Sequence, residues 1–143
     1  MKLKIFVLSI ILQYCFINTQ CQTIQDIKNL ESASKTCSDS AKNKLLCSRE
    51  YYLKMDSMMK IAYINLSSSI NNRLQTYLKK EQLNWLKKRD KYFLKQNEEA
   101  RKNEKKGKAP AETYVKVLQN DAEFIKERVL ELIDRINKRP SNR

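Results

Sequence analysis

A chain of 143 residues with one Gly, two Pro and no His fits a single domain and lacks the turn residues of a hairpin-rich sheet, so an all-α fold is expected. The missing His removes the commonest general base and the commonest zinc ligand; with no Gly-rich phosphate loop, metal cluster or nucleophile motif, the reading is a non-enzymatic protein without a cofactor. A formal charge of +13 and a pI near 9.7 attract polyanions without selecting among them.

Lys2 and Lys4 precede an apolar run that opens at Ile5 and reaches Ile17, interrupted at Gln13. The run is shorter than the roughly 20 apolar residues of a membrane span. Polar Asn18-Thr19-Gln20 follows it, the layout of a cleavable export signal. Residues 1–21 are therefore read as a signal peptide cut between Cys21 and Gln22, with a periplasmic or secreted destination. An uncleaved anchor is an alternative. Lipoprotein anchoring is disfavoured, because Tyr14 precedes Cys15 and Gln20 precedes Cys21 where a small residue is needed. Cleavage removes two lysines and no acid, leaving +11.

Cys37 and Cys47 then remain as a pair that an oxidising compartment invites into a disulfide, with two free thiols as the alternative. A redox-active pair would need the absent CxxC spacing. A continuous helix would hold the two Cα atoms about 15 Å apart, beyond the roughly 4.4–6.8 Å a disulfide tolerates. The chain must reverse between them, and Ser38-Asp39-Ser40 are the expected start of the following helix. Residues 22–37 form an N-terminal segment contributing a short amphipathic turn through Ile24, Ile27 and Leu30.

Residues 38–137 are read as the helical domain. Met55, Met59, Ala62, Tyr63, Leu66 and Ile70 recur at helical spacing and place a first helix from about Ser40 to Ile70. Weak helix formers between Ser68 and Leu74 predict a turn, after which Leu78, Gln82, Trp85, Arg89, Phe93 and Ala100 define a second helix. Lys105 to Pro110 carry the single Gly and read as a loop; a third helix follows from Ala111 to Asn137, with Tyr114, Val117, Leu118, Asp121, Ile125, Val129, Leu132 and Ile136 on one face, and residues 138–143 form a tail. The expected architecture is a small bundle, an antiparallel hairpin plus a third C-terminal helix.

Arg89 and Gln82 fall within the second helix's apolar face, where a buried charge needs a partner. One antiparallel register sets Asp56 opposite Arg89, Tyr63 opposite Gln82, Met59 opposite Leu86 and Tyr52 opposite Phe93, and centres the turn between Asn72 and Arg73. An Asp56–Arg89 ion pair and a Tyr63–Gln82 hydrogen bond are therefore expected to fix helix register, with direct target contact as the alternative. If deeply buried, such a pair would make Asp56→Ala cost roughly 3–5 kcal/mol.

Between positions 79 and 108 there are twelve Lys or Arg against five Asp or Glu. Lys79, Lys80, Lys87, Lys88, Lys91 and Lys95 fall largely off the apolar stripe and form a candidate face for an anionic polymer or membrane surface. The plainer reading is a solvated helix face. Nucleic acid is a weaker candidate partner: no reading module is visible, and Trp85, Tyr92 and Phe93 have the spacing of core residues rather than a base-stacking platform.

The two cysteines ten positions apart, Asp56 with Tyr63, and the run Glu81-Gln82-Leu83-Asn84-Trp85-Leu86-Lys87-Lys88-Arg89-Asp90 make the stretch Cys37 to Asp90 resemble the lysozyme-inhibitor LprI-like N-terminal domain family. Gln82, Trp85, Arg89 and Asp90 carry the most specific part of that likeness, and the stretch Phe124 to Leu132 is similar to the family's final helix. Lys60 stands where the family usually has Asn, and Phe93 where it usually has a further Cys. With no later Cys available, the likeness implies that Cys37 pairs with Cys47 independently of a second bridge. It also implies an exported inhibitor whose partner is lysozyme or another cell-wall hydrolase. Animal lysozymes are themselves basic, so such a partner would meet this chain against long-range repulsion and need a locally acidic or apolar contact.

Overall fold

The computed structural model describes residues 23–40, 43–107 and 109–139. The export-signal reading and its cleavage site fall on residues 1–22, outside the described residues. Among these described residues four helices follow in order, α1 Ile24–Ser40, α2 Lys44–Ser68, α3 Asn72–Lys105 and α4 Pro110–Asn137. No strand occurs among the described residues, and none of their helices is long and apolar enough to cross a membrane.

The second, third and fourth helices occupy the positions predicted from apolar spacing, and local chemistry sets their ends. Asn43 caps α2, its Oδ1 accepting from the Leu46 N–H at 3.1 Å, and Asn71 caps α3 in the same way from Leu74 at 3.0 Å. The Gln75 side chain crosses the α2–α3 turn and donates to the Ser67 carbonyl at 3.0 Å, satisfying one of the acceptors left open at a helix end. At the end of α3 the chain enters the left-handed region at Gly107, φ 83°, where a side chain would be strained. Pro110 opens α4, where its missing N–H and fixed φ are tolerated.

The N-terminal segment differs from the sequence expectation. It is not a short turn but a helix of 17 residues, and Ser38-Asp39-Ser40 close it rather than starting the next one. The Ser40 hydroxyl donates back to the Thr36 carbonyl at 2.7 Å, so the backbone is held in helix where a cap had been expected. Cys37 in the last turn of α1 is bonded to Cys47 in the first turn of α2, their Cα atoms 5.8 Å apart. The reversal falls across the α1–α2 junction, just beyond the predicted place. Ile27 buries itself in the core, and Glu31 meets Lys126 of α4 at 2.7 Å. Both contacts draw α1 into the bundle.

Tyr51 of α2 donates to Glu123 of α4 at 3.1 Å, while Ser69 beyond α2 meets Arg139 beyond α4. These contacts advance together along the sequence, so α2 and α4 run parallel. Asn120 to Gln96 at 2.9 Å and Arg128 to Gln82 at 3.0 Å advance in opposite senses and make α3 antiparallel to α4. The closest backbone packing lies between α2 and α4, where small, fully buried Ala62 and Ala122 face a core of Met55, Met59, Ile125, Val129 and Leu132. The predicted α2–α3 hairpin is present, but Tyr52, Trp85, Arg89 and Phe93 line it. These large side chains hold its backbones farther apart than those of α2 and α4.

Candidate functional site

The expected register residues converge on one side of α3, with different partners from those foreseen. Asp56 lies 3.9 Å from Arg89, at the outer limit of an ion pair. Each has a nearer mate: Asp56 meets Lys60 at 2.6 Å, and Arg89 meets Asp90 through Nη2 at 2.6 Å and Nε at 2.9 Å. The two side chains are 17% and 23% exposed, so the deep burial behind the larger destabilisation is absent. Asp56→Ala is expected to lose no more than about 1 kcal/mol in urea unfolding. A loss near 4 kcal/mol would restore a buried pair.

Gln82 is buried, but its partner is not Tyr63. Its Nε2 donates to the Met59 sulfur at 3.1 Å, and its Oε1 accepts both Nε and Nη2 of Arg128, at 3.1 and 3.0 Å. Tyr63 packs at the edge of the core instead. The Arg128 side chain is 2% exposed, and its third contact point, Nη1, reaches Glu81 at 2.6 Å and Glu131 at 2.8 Å. Arg135 joins the same carboxylates, at 2.8 Å from Glu81 and 3.5 Å from Glu131. Burial pushes the Glu81 carboxyl up, but the hydrogen bonds and charges of Arg128 and Arg135 outweigh it and hold the group below its usual value.

Trp85 lies beneath this network. Guanidinium carbons of Arg89 and Arg128 stand 5.9 and 6.0 Å from its ring centre, positions in which a cation is drawn to the ring face. Trp85 stacks on Phe124, Phe124 on Tyr92 at 4.6 Å, and Phe93 packs against Tyr52 at 6.0 Å. Phe93, which replaces a usual family cysteine, therefore joins an aromatic column between α2, α3 and α4. Lys60, the other departure, pairs with Asp56 one helical turn away.

The six lysines at 79, 80, 87, 88, 91 and 95 are all exposed, and Lys95 makes a long contact to Glu99 at 3.9 Å. Leu83 and Leu94, 51% and 57% exposed, lie on the same outer side of α3. Spacing alone foresaw the lysines but gave no role to those leucines.

A groove of about 550 Å³ opens where α2, α3 and α4 meet near the disulfide end. Leu53, Tyr52, Phe93, Val117 and Leu118 supply much of its wall, and Asp121 also lines it. Asp121 is 5% exposed, and its Oδ1 has no hydrogen-bond partner. Burial pushes its carboxyl up to about 6. The folded state therefore holds this proton where the unfolded chain releases it, and the penalty of burying the charge is full above pH 6 and gone below about pH 4. Asp121→Asn is expected to raise stability by about 1–2 kcal/mol at pH 7 and to leave it unchanged at pH 4, read from urea midpoints. In the sequence, Asp121 falls within α4's apolar stripe at helical spacing, which marked it as inward-facing without showing that it lacked a partner.

The described residues contain no cluster of three or more His, Cys, Asp or Glu able to hold a metal ion. Their polar constellation fastens helices together around a tryptophan, beside an apolar groove with one acid. Against known proteins, the family model described as "Lysozyme inhibitor LprI" matches residues 34–132, covering α2, α3, the end of α1 and most of α4. The chain belongs to the lysozyme inhibitor LprI family. No curated protein and no solved structure matches it. Within this LprI-family chain, the matched span takes in the disulfide, the Gln82–Trp85–Arg89 face and Arg128.

Proposed function

We propose that the chain is an exported, non-enzymatic inhibitor that binds lysozyme or a related cell-wall hydrolase. The family match over residues 34–132 carries this reading. The fold is compatible with it: a disulfide suited to an oxidising compartment joins α1 to α2, and Gln82 of the motif is bonded to enclosed Arg128 of α4. The test is lysis of a peptidoglycan suspension by lysozyme as the purified chain is added. Lysis should slow progressively and stop near stoichiometric addition. Undiminished lysis at a large molar excess would remove lysozyme as the target.

A second reading has its own supporting observation. Exposed Leu83 and Leu94 stand among the six exposed lysines on the outer side of α3, the mixture with which a helix lies on an anionic membrane surface. An envelope adaptor built this way would sediment with anionic liposomes at physiological salt. No co-sedimentation even at low salt would exclude it.

A further inference from the structure

We propose that the groove with Asp121 in its lining receives an arginine side chain from the bound partner protein. The proposal rests on the inhibitor reading for the identity of that partner, but on the groove's own chemistry for the nature of the group it takes. Leu53, Phe93, Val117 and Leu118 offer apolar surface to the methylene stem of such a side chain. The aromatic rings of Tyr52 and Phe93 in the lining suit a planar guanidinium. Asp121 supplies the carboxylate such a group needs, with Oδ1 buried and unpartnered.

Other occupants fit less well. An apolar side chain would seal the carboxylate away from water with nothing to pair it, and an acidic one would add a like charge. A lone carboxylate does not make a metal site, and no metal-binding cluster surrounds it among the described residues. Arg49 stands at the rim, exposed to solvent. Burial is the one cause raising the Asp121 carboxyl, with no cation offsetting it, so Arg49 does not already fill the role.

The groove also answers the charge problem of a basic inhibitor meeting a basic enzyme. The repulsion acts at long range and is screened by salt, whereas a pair formed inside an apolar groove is screened far less. A single enclosed acid can then hold a partner that the rest of the surface repels.

The test uses butylguanidinium as the probe, titrated into the isotopically labelled chain and followed by backbone amide shifts, with butylurea as the neutral counterpart. Saturable shifts are expected around Leu53, Phe93 and Val117, at least tenfold weaker in Asp121→Asn and absent with butylurea. Binding should also weaken as pH falls through 6 and Asp121 is neutralised; the other titratable groups facing it are Arg49, Tyr52 and Tyr114 in the lining and Tyr92 nearby. No saturable shift, equal shifts in Asp121→Asn, or shifts confined to exposed acids such as Glu98 would overturn the proposal.

Lysozyme inhibition by Asp121→Asn provides the second arm. A tenfold loss, with melting temperature unchanged or raised, supports the arginine contact. Full inhibition by Asp121→Asn discards the groove and keeps the inhibitor. Probe binding without inhibition by the parent chain keeps the groove and discards lysozyme.

Discussion

Arg128→Ala is expected to lower the stability of the bundle by about 3–5 kcal/mol, read as a fall in the urea midpoint with an unchanged slope. Two effects contribute. The substitution removes a fully enclosed side chain between α3 and α4, leaving a cavity. It also strips Gln82 of the two donors that satisfy its buried oxygen, and an acceptor left in that state costs about 1–3 kcal/mol. Glu81 and Glu131 are cushioned, because both are partly exposed and Arg135 remains beside them. Gln82→Leu combined with Arg128→Ala should therefore cost less than the two single changes together, since the second no longer orphans a polar atom. Strict additivity would show that the two side chains do not share one interaction.

Removing the disulfide is the second change with a large expected effect. Replacing both Cys37 and Cys47 with Ser opens a loop of about 11 residues, worth on the order of 3 kcal/mol in loop-closure entropy. The loss should be local. Apart from the disulfide, α1 is held to the bundle by buried Ile27, partly buried Leu30 and the Glu31–Lys126 ion pair, whereas α2 and α4 share the fully buried Met55, Ile125 and Leu132 core. Amide hydrogen exchange in α1 should speed up by two orders of magnitude or more while the centre of α4 keeps most of its protection. Unchanged protection of α1 in the serine variant would show that the non-covalent contacts alone dock it.

The parts of the fold legible in the sequence were those written in apolar periodicity and punctuation. Met55, Met59, Ala62 and Leu66 announced α2, and the Gly107–Pro110 region announced the α3–α4 break. The length of α1 was obscured because its apolar stripe stops at Ile24, Ile27 and Leu30, with no large apolar residue in the later turns, and because Ser38-Asp39-Ser40 suit a helix end as well as a start. The register that placed Tyr52 against Phe93 and Asp56 near Arg89 corresponds to the α2–α3 contacts seen. It failed for Gln82, whose amide nitrogen meets Met59 of α2 instead of Tyr63 and whose oxygen is taken by Arg128 of a third helix that pairwise reasoning across a hairpin left out.

Arg128 illustrates the same boundary. Its neighbours Val129 and Leu132 mark the buried face of α4, yet a lysine- and arginine-rich chain presents many cations at similar spacing, and nothing local distinguishes the one that is enclosed. The signal that could have found it was joint: an acid and an amide adjacent in α3, Glu81-Gln82, needing a cation. Asp121 was legible as inward-facing but not as unsatisfied, because satisfaction depends on what two other helices bring to it.

Equilibrium binding of the purified chain to lysozyme, followed by calorimetry from low salt to about 0.15 M, bears most directly on the whole account. A one-to-one complex whose affinity holds steady or tightens as salt rises is the predicted result: two basic surfaces repel less while the enclosed contact persists. An absence of measurable heat across the range, or a complex that dissolves as salt is added, would contradict it.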